Sequence, residues 1–155
     1  MKANSNLSRS VARLAVVQAL YQMEVSGATT ADVIADFTAG KLPRQTEASY
    51  TDTEGDLDLF RVLVEKAVDR QATYDRAIAR HLSKGWRLER IDAVARAILR
   101  AGAAELEQRA DIPVAVVIDE YVEIAKAFFD GPEPGFVNAT LDVAARDLRP
   151  TEQGA

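Results

Sequence analysis

The chain has 155 residues, of which 48% are hydrophobic and 28% charged, and these values are typical of one globular domain. It contains no cysteine and a single histidine, His81. This composition argues against disulfides, cysteine-ligated metals, a Ser–His–Asp triad and multi-histidine metal centres. No run reaches the roughly 18 consecutive apolar residues of a membrane span, and the polar start lacks a signal peptide's apolar core. We therefore expect a soluble cytoplasmic protein.

The charges are unevenly distributed along the chain. The formal net charge is −5, yet residues 1–25 carry three basic residues and one acid, whereas the segment between Arg44 and Arg61 carries five acids and no base. The overall acidity argues against a protein that coats nucleic acid with its whole surface, but it leaves room for a local basic patch. The sequence thus predicts a basic first helix and an acidic loop.

In the first part of the chain, apolar residues spaced three and four apart predict helices. The first follows a possible N-cap at Ser8 and ends at Gly27; a short second helix is capped by Thr30 and ends at Gly40. Residues 40–54 are interpreted as an acidic, mobile loop. A capping-box pattern from Thr53 to Asp56 then opens one long helix, or two helices with a bend near Thr73.

In the second part, the pattern is interrupted at 83–86 and resumes at Leu88 in an alanine-rich stretch that predicts a central, closely packed helix. Pro113 is suited to the first position of the next helix, which the Gly/Pro segment 131–135 should end. A last amphipathic helix runs to Leu148. The sequence therefore predicts a single all-α domain over 1–155 with six or seven helices, an N-terminal half at about 8–82 and a C-terminal half at about 88–149.

The first predicted helix carries a possible phosphate-binding face. Arg9 and Arg13 are four residues apart and share one side of the helix, Lys2 can fold toward that side, and Gln18 continues it. No acid on the same helix lies within reach of these arginines. The spacing leaves two interpretations open, a solvated polar face or a contact with phosphates.

Phe128, Phe129 and Phe136 flank the Gly/Pro segment. Core packing is the usual role of any one phenylalanine, but single-stranded RNA is bound by stacking unpaired bases on exposed aromatic rings, so one of these rings could serve RNA. Glycines 131 and 135 do not form a phosphate loop, because the Lys-Ser/Thr ending is missing.

Asp119 and Glu120 are adjacent acids on a predicted helix. Their side chains point about 100° apart, so they are poorly placed to act together as a general acid and base. We interpret Glu120 as half of a structural ion pair with Arg100 on the central helix, because partly buried carboxylates normally require a partner.

Several stretches, taken together and in order, resemble the NusB family of transcription antitermination factors. The resemblance extends from about Arg9 to Arg149. It is carried by residues 10–24, 96–100, 111–113, 117–126 and 136–138.

This resemblance implies an all-α fold of two packed helical bundles without catalytic activity, cofactor or metal. It further implies binding of single-stranded boxA RNA of ribosomal RNA leaders, jointly with the small-subunit ribosomal protein that serves as NusE, within the RNA polymerase antitermination complex. By motif position, the RNA contacts would be Arg9, Arg13, Gln18, Tyr21, Phe128, Phe136 and Asn138. The partner surface would include His81, Trp86 and Glu89. Ser10 and Val11 stand where other members often carry basic residues, so the RNA affinity of the protein alone should be modest.

Two alternatives stay open. A similar helical domain precedes the catalytic domain of some RNA cytosine methyltransferases, and the chain could be a stand-alone module of that kind; it has no cysteine nucleophile and no glycine-rich cofactor loop. It could also be a helical scaffold that binds protein and no RNA.

Overall fold

The structure is a computed structural model that describes residues 2–40, 55–80, 82 and 87–150, with side chains from residue 6 onward. These residues form seven α-helices and one short 3-10 turn, and they contain no strand. The helices are α1 (Lys2–Ser26), α2 (Thr30–Thr38), α3 (Leu57–Asp69), α4 (Gln71–Ala79), α5 (Ala93–Gln108), α6 (Val114–Phe128) and α7 (Glu133–Leu148). The predicted all-α fold is confirmed. Nearly all of the predicted acidic loop and the whole interruption at 83–86 lie outside the described residues.

The ends of the first two helices differ from the prediction in two places. Helix α1 begins at Lys2 rather than after Ser8, because residues 2–7 contain no glycine or proline that would stop it. Thr29, not Thr30, caps α2: its hydroxyl accepts from the Asp32 N–H at 3.1 Å, while the Asp32 carboxylate accepts from the Thr29 N–H at 3.0 Å. Gly27 has a positive φ of 74°, the conformation that favours glycine after a helix.

The later helix boundaries also shift by a few residues. Asp56 caps α3 by accepting from the Leu59 N–H at 3.0 Å, and the predicted bend falls at Arg70, between α3 and α4. The central helix starts after Asp92, whose carboxylate accepts from the Val94 N–H at 2.8 Å. Pro113 occupies the N-cap of α6 rather than its first helical position, so the helix begins at Val114, one residue later than predicted.

Helix α5 lies at the centre of the core and packs against α1, α3, α4, α6 and α7. All residues from 101 to 106 are buried, and five of these six are alanine, glycine or glutamate rather than large apolar residues. Small side chains let neighbouring helices approach closely. A Cβ on Gly102 would lie 2.8 Å from Leu141 Cδ1, so α7 packs directly on the backbone of α5 at this point.

The directions of α1 and α6 follow from their contacts with α5. Arg13 of α1 meets Glu105 and Glu24 meets Arg96, so α1 runs antiparallel to α5. The short connection 109–113 returns the chain along α5, where Tyr121 of α6 reaches Glu105. Helices α1 and α6 therefore run side by side in the same direction.

The last described turn of the chain is fastened to the α5–α6 connection by Arg149. Its buried guanidinium donates to the carbonyl of Leu106 at 2.9 Å, to that of Arg109 at 2.7 Å and to that of Ile112. These carbonyls belong to a helix end and a loop, where backbone acceptors lack helical partners. The end of α7 thus completes the packing of the α5–α6 corner.

Candidate nucleic-acid interface

Helices α1, α5 and α6 are joined by a hydrogen-bonded network centred on Arg13. Its guanidinium donates to the Glu105 carboxylate through Nε at 2.9 Å and through Nη2 at 2.7 Å, and to Glu120 through Nη1 at 2.7 Å. The Tyr121 hydroxyl donates to Glu105 at 2.8 Å, and the Ser10 hydroxyl donates to Glu120 at 2.6 Å. Three donors, Ser10, Arg13 and Tyr121, therefore share the two carboxylates of Glu105 and Glu120.

The Arg13–Glu105 part of the network is withdrawn from water, whereas the Glu120 side chain is 31% exposed. The side chain of Arg13 is 3% exposed and that of Glu105 is 0% exposed. Burial alone would lower the pKa of Arg13, but the hydrogen bonds and the charge of Glu105 raise it above its ordinary value, so the guanidinium stays charged. Burial also raises the pKa of the Tyr121 hydroxyl, which remains a hydrogen-bond donor. Arg13 is thus occupied by carboxylates, and its predicted contact with RNA phosphates is corrected to a structural role.

The predicted ion pair between Arg100 and Glu120 is wrong in its partners. Arg100 donates through Nε and Nη2 to the carboxylate of Asp75 on α4, at 2.8 and 3.0 Å. Glu120 is instead held by Arg13 and Ser10 of α1. The reason is the position of α5, which is surrounded by helices: Arg100 points toward α4, whereas Glu120 of α6 points toward α1.

Arg9, Gln18 and Tyr21 lie along α1 with different accessibilities. Arg9 is partly exposed, and its guanidinium donates to the Asn6 side-chain oxygen at 2.8 Å. Gln18 is half-buried, and its Oε1 is buried without a hydrogen-bond partner among the described residues. Tyr21 is 38% exposed. The outer side of α1 therefore offers one cation near its start and one aromatic ring further along.

The three phenylalanines around the Gly/Pro segment divide into two groups. Phe128, at the last position of α6, is 39% exposed, whereas Phe129 and Phe136 are partly buried against the core. Asn138, two residues after Phe136, is exposed on the first turns of α7. The exposed ring available for stacking is thus Phe128, and Phe136 contributes to the core on at least part of its surface.

Tyr21 and Phe128 lie at the same end of the α1–α6 pair. Arg13 and Glu120 mark one level where these two helices meet, and each aromatic residue follows its marker by eight positions. Because α1 and α6 run in the same direction, both rings lie about 12 Å further along, at 1.5 Å per residue. Two of the predicted RNA residues from distant parts of the sequence therefore lie toward the same end of the α1–α6 pair.

The predicted partner edge is only partly described. Glu89 is exposed within the 3-10 turn Leu88–Arg90, while His81 and Trp86 lie outside the described residues. Arg87 and Arg90 are exposed on either side of Glu89. The described part of this edge therefore carries more positive than negative charge.

Sequence reasoning missed the importance of Glu105 and Arg96. Glu105 stands between alanine and leucine in the otherwise apolar stretch 101–106, and a carboxylate in such a position signals a buried cationic partner. Arg96, 8% exposed, donates through Nε to Glu24 at 3.3 Å and through Nη1 to the Ile91 carbonyl at 2.6 Å. The available signal for Arg96 was the presence of an arginine on the face of the central helix that the sequence predicts to be buried.

Within the part of the chain that the structure covers, no group of three His, Cys, Asp or Glu side chains could hold a metal ion. None of the described helices combines the length and apolar content that a bilayer crossing needs.

Comparisons with known proteins agree with this helical architecture. The chain superposes on a NusB structure from T. maritima with a TM-score of 0.73 and 28% identity, covering 95% of this chain and 97% of that one. The NusB family model matches residues 10–146. The chain is 54% identical over 149 residues to the transcription antitermination protein NusB of Caulobacter vibrioides, covering 96% of this chain and 99% of the relative. It is 50% identical over 144 residues to that of Maricaulis maris, covering 93% and 89%. The chain belongs to the NusB family.

Proposed function

We propose that this protein is a transcription antitermination factor that binds boxA-type single-stranded RNA of ribosomal RNA leaders. It acts together with a NusE-type small-subunit ribosomal protein in the RNA polymerase antitermination complex. The observation that carries the proposal is the family match over residues 10–146, together with relatives of nearly equal length that are named transcription antitermination proteins. The match covers both ends of the helical domain, including α1 and the start of α7.

The RNA surface proposed here follows α1, the end of α6 and the start of α7. Tyr21 and Phe128 stack on bases, because both rings are exposed and lie at one end of the α1–α6 pair. Arg9 contacts a phosphate near the start of α1. Gln18 and Asn138 supply hydrogen bonds, and Phe136, which is only partly buried, offers the accessible part of its ring to the RNA. Arg13 acts behind this surface by holding α1 against α5 and α6.

Positive charge on this surface is sparse. Lys126 of α6 is paired with Glu123 at 3.2 Å, and Asp119 is exposed on the same helix. RNA binding by the free protein therefore has few phosphate contacts and is weak. A ribosomal partner, itself basic, brings further cations to the RNA, and the net charge of −5 favours its encounter with this chain. Coupling of roughly 1–3 kcal/mol between the two ligands is expected.

The test is a titration of a boxA-carrying single-stranded RNA of about 12 nucleotides, a length typical of single-strand binding sites, with and without the NusE-type protein. Binding should be weak alone and stronger with the partner. Tyr21→Ala and Phe128→Ala should each weaken it by about 1–3 kcal/mol, while the control Val62→Ala, an exposed apolar residue of α3, should leave it unchanged. Partner binding without any RNA binding would replace the proposal with a protein-only scaffold.

The partner contact is assigned to the edge formed by His81, Trp86 and Glu89. Trp86 is the single tryptophan, so its fluorescence reports on this edge without labelling. Glu89→Lys should weaken partner binding and spare RNA binding by the free protein. Glu65→Lys, the same charge change at an exposed position of α3, is the matched control. If the partner binds without a change in fluorescence and without loss in Glu89→Lys, the contact lies elsewhere on the protein.

A further inference from the structure

Exposed arginines collect at one end of the molecule, and the interface described above does not use them. Arg87 and Arg90 belong to the turn that precedes α5, and this turn packs against α4, where Arg76 is also exposed. The chain as a whole is acidic, with a net charge of −5, so this cluster does not reflect an excess of basic residues over the whole surface. The segment 87–90 is called the arginine turn below.

The arginine turn is held in place by a buried side chain. The Arg90 N–H donates to the Arg87 carbonyl at 3.0 Å, which closes the turn. From the core side, the guanidinium of Arg96 donates to the carbonyl of Leu88 at 3.1 Å and to that of Ile91 at 2.6 Å. Because Arg96 is only 8% exposed, the turn is fixed to the core rather than loosely attached to it.

The cations of the arginine turn are available to a ligand. Among the described residues, no carboxylate lies within 4.0 Å of Arg87 or Arg90, whereas most other arginines of the described chain are paired. The acids nearest in sequence are Glu89, which is exposed, and Asp92, whose carboxylate caps α5. Arg76 has only a 3.4 Å contact with the Thr73 hydroxyl. The local balance is therefore positive, and two guanidinium groups are free to bind anions.

A continuous set of contacts links this turn to the aromatic end of the α1–α6 pair. Arg96, which holds the turn, also binds the carboxylate of Glu24 through Nε at 3.3 Å. Glu24 lies three residues after Tyr21 on α1, about one helical turn away. The arginine turn is thus next to the end where Tyr21 is exposed, and an RNA strand that stacks on Tyr21 passes toward it.

We propose that the arginine turn binds the phosphates of the RNA strand flanking the segment stacked on Tyr21 and Phe128. Arginine suits this role because its planar guanidinium is always charged and can bind phosphate oxygens through two N–H groups. The contact adds affinity without reading sequence, since phosphates are the same in every nucleotide. It rests on the proposed RNA-binding function and extends the RNA surface to α4 and α5.

The experiment compares the double variant Arg87→Gln/Arg90→Gln with the control Arg61→Gln/Lys66→Gln, which removes two cations of α3 that have no ion pair among the described residues. Each protein is titrated with a boxA-carrying RNA of about 12 nucleotides and with the same RNA extended by a similar length of polyuridine on the 5′ or the 3′ side. One extension should make the wild-type salt slope more negative by about 1.4, because each single-strand phosphate contact contributes about −0.7. The arginine variant should lose that increment and bind the extended RNA roughly 10- to 30-fold more weakly at 0.1 M salt.

The short RNA should bind the arginine variant and the wild type equally, and melting temperatures should agree because both arginines are exposed. Equal binding of both extended RNAs to the arginine variant and the control would overturn the proposal while the proposed function stands. Loss of NusE-type partner binding with unchanged binding of the extended RNAs would also overturn it, since Arg87 and Arg90 would then belong, like Glu89, to the partner contact. Failure of the wild type to bind any of these RNAs would remove the proposed function, and the assignment of the turn would fall with it.

Discussion

Replacing Arg13 by methionine tests the assignment of this residue to the interior rather than to RNA. The variant removes four hydrogen bonds from the guanidinium and leaves Glu105, at 0% exposure, with only the Tyr121 hydroxyl. Methionine fills most of the space with a flexible apolar chain, so a cavity contributes little. The dominant cost is an uncompensated buried carboxylate, and breaking such a pair costs about 3–5 kcal/mol.

This loss is large against the 5–15 kcal/mol that stabilises a typical domain, so unfolding should be easy to measure. For a domain of this size the melting temperature should fall by roughly 6–20 °C, at about 2–4 °C per kcal/mol. The double variant Arg13→Met/Glu105→Gln should recover much of the loss, because an amide can still accept from Tyr121 and no charge is buried alone. Urea unfolding of the wild type, both single variants and the double variant measures the coupling.

RNA binding separates this role from a phosphate contact. Measured at a temperature where the Arg13→Met variant is folded, the dependence of log affinity on log salt should keep its wild-type slope. A slope that is less negative by about 0.7, combined with wild-type stability, would show that Arg13 binds a phosphate and would refute the interpretation of the network.

Three further outcomes are expected. Phe136→Ala should lower the melting temperature more than Phe128→Ala, because Phe136 packs against the core; equal thermal shifts would contradict that assignment. Gly102→Ala should destabilise the fold by about 1–2 kcal/mol in urea unfolding, since the new Cβ displaces the buried Leu141 side chain; a more stable variant would mean that Leu141 moves freely. Burial acts to raise the pKa of Glu107, but hydrogen bonds from Arg70 and Tyr74 lower it overall. The Glu107 carboxylate therefore stabilises the fold at pH values above the ordinary glutamate pKa of about 4.3, and this contribution is lost as the pH falls below that value. In the Glu107→Gln variant, the free energy of unfolding should fall less steeply between neutral and acidic pH than in the wild type. An unchanged pH dependence would contradict this role of Glu107.

The sequence was sufficient to predict the fold class and to place several helix ends within a few residues, because these depend on local spacing and on residues with special backbone preferences. Gly27 ends α1 as predicted, since its positive φ is a property of glycine itself. The start of α2 moved by one residue because two neighbours, Thr29 and Thr30, could both serve as the cap. Local spacing cannot decide between them, and the carboxylate of Asp32 selects Thr29 as the cap.

The candidate site was less predictable because its key contacts join distant parts of the chain. Arg13 occupies a polar position on α1, and its burial depends on Glu105, which lies 92 residues away. Arg100 and Glu120 were paired by charge alone, but nothing in the spacing of either helix specifies which neighbour each one faces. By contrast, the exposed ring of Phe128 agrees with a position at a helix end beside a Gly/Pro segment.

The central position of α5 has a consequence for the synthesis of this protein on the ribosome. Domains generally fold as units while the chain emerges from the N-terminus, and incomplete chains expose apolar surface. The faces of α5 that pack against α6 and α7 stay exposed until those helices have been synthesised. The carbonyls of the α5–α6 corner likewise lack their hydrogen-bond donor until Arg149 has been synthesised. The apolar surface of α5 that α6 and α7 cover therefore stays exposed until the chain has been made as far as residue 149, and that interval is when the nascent chain most needs protection from aggregation.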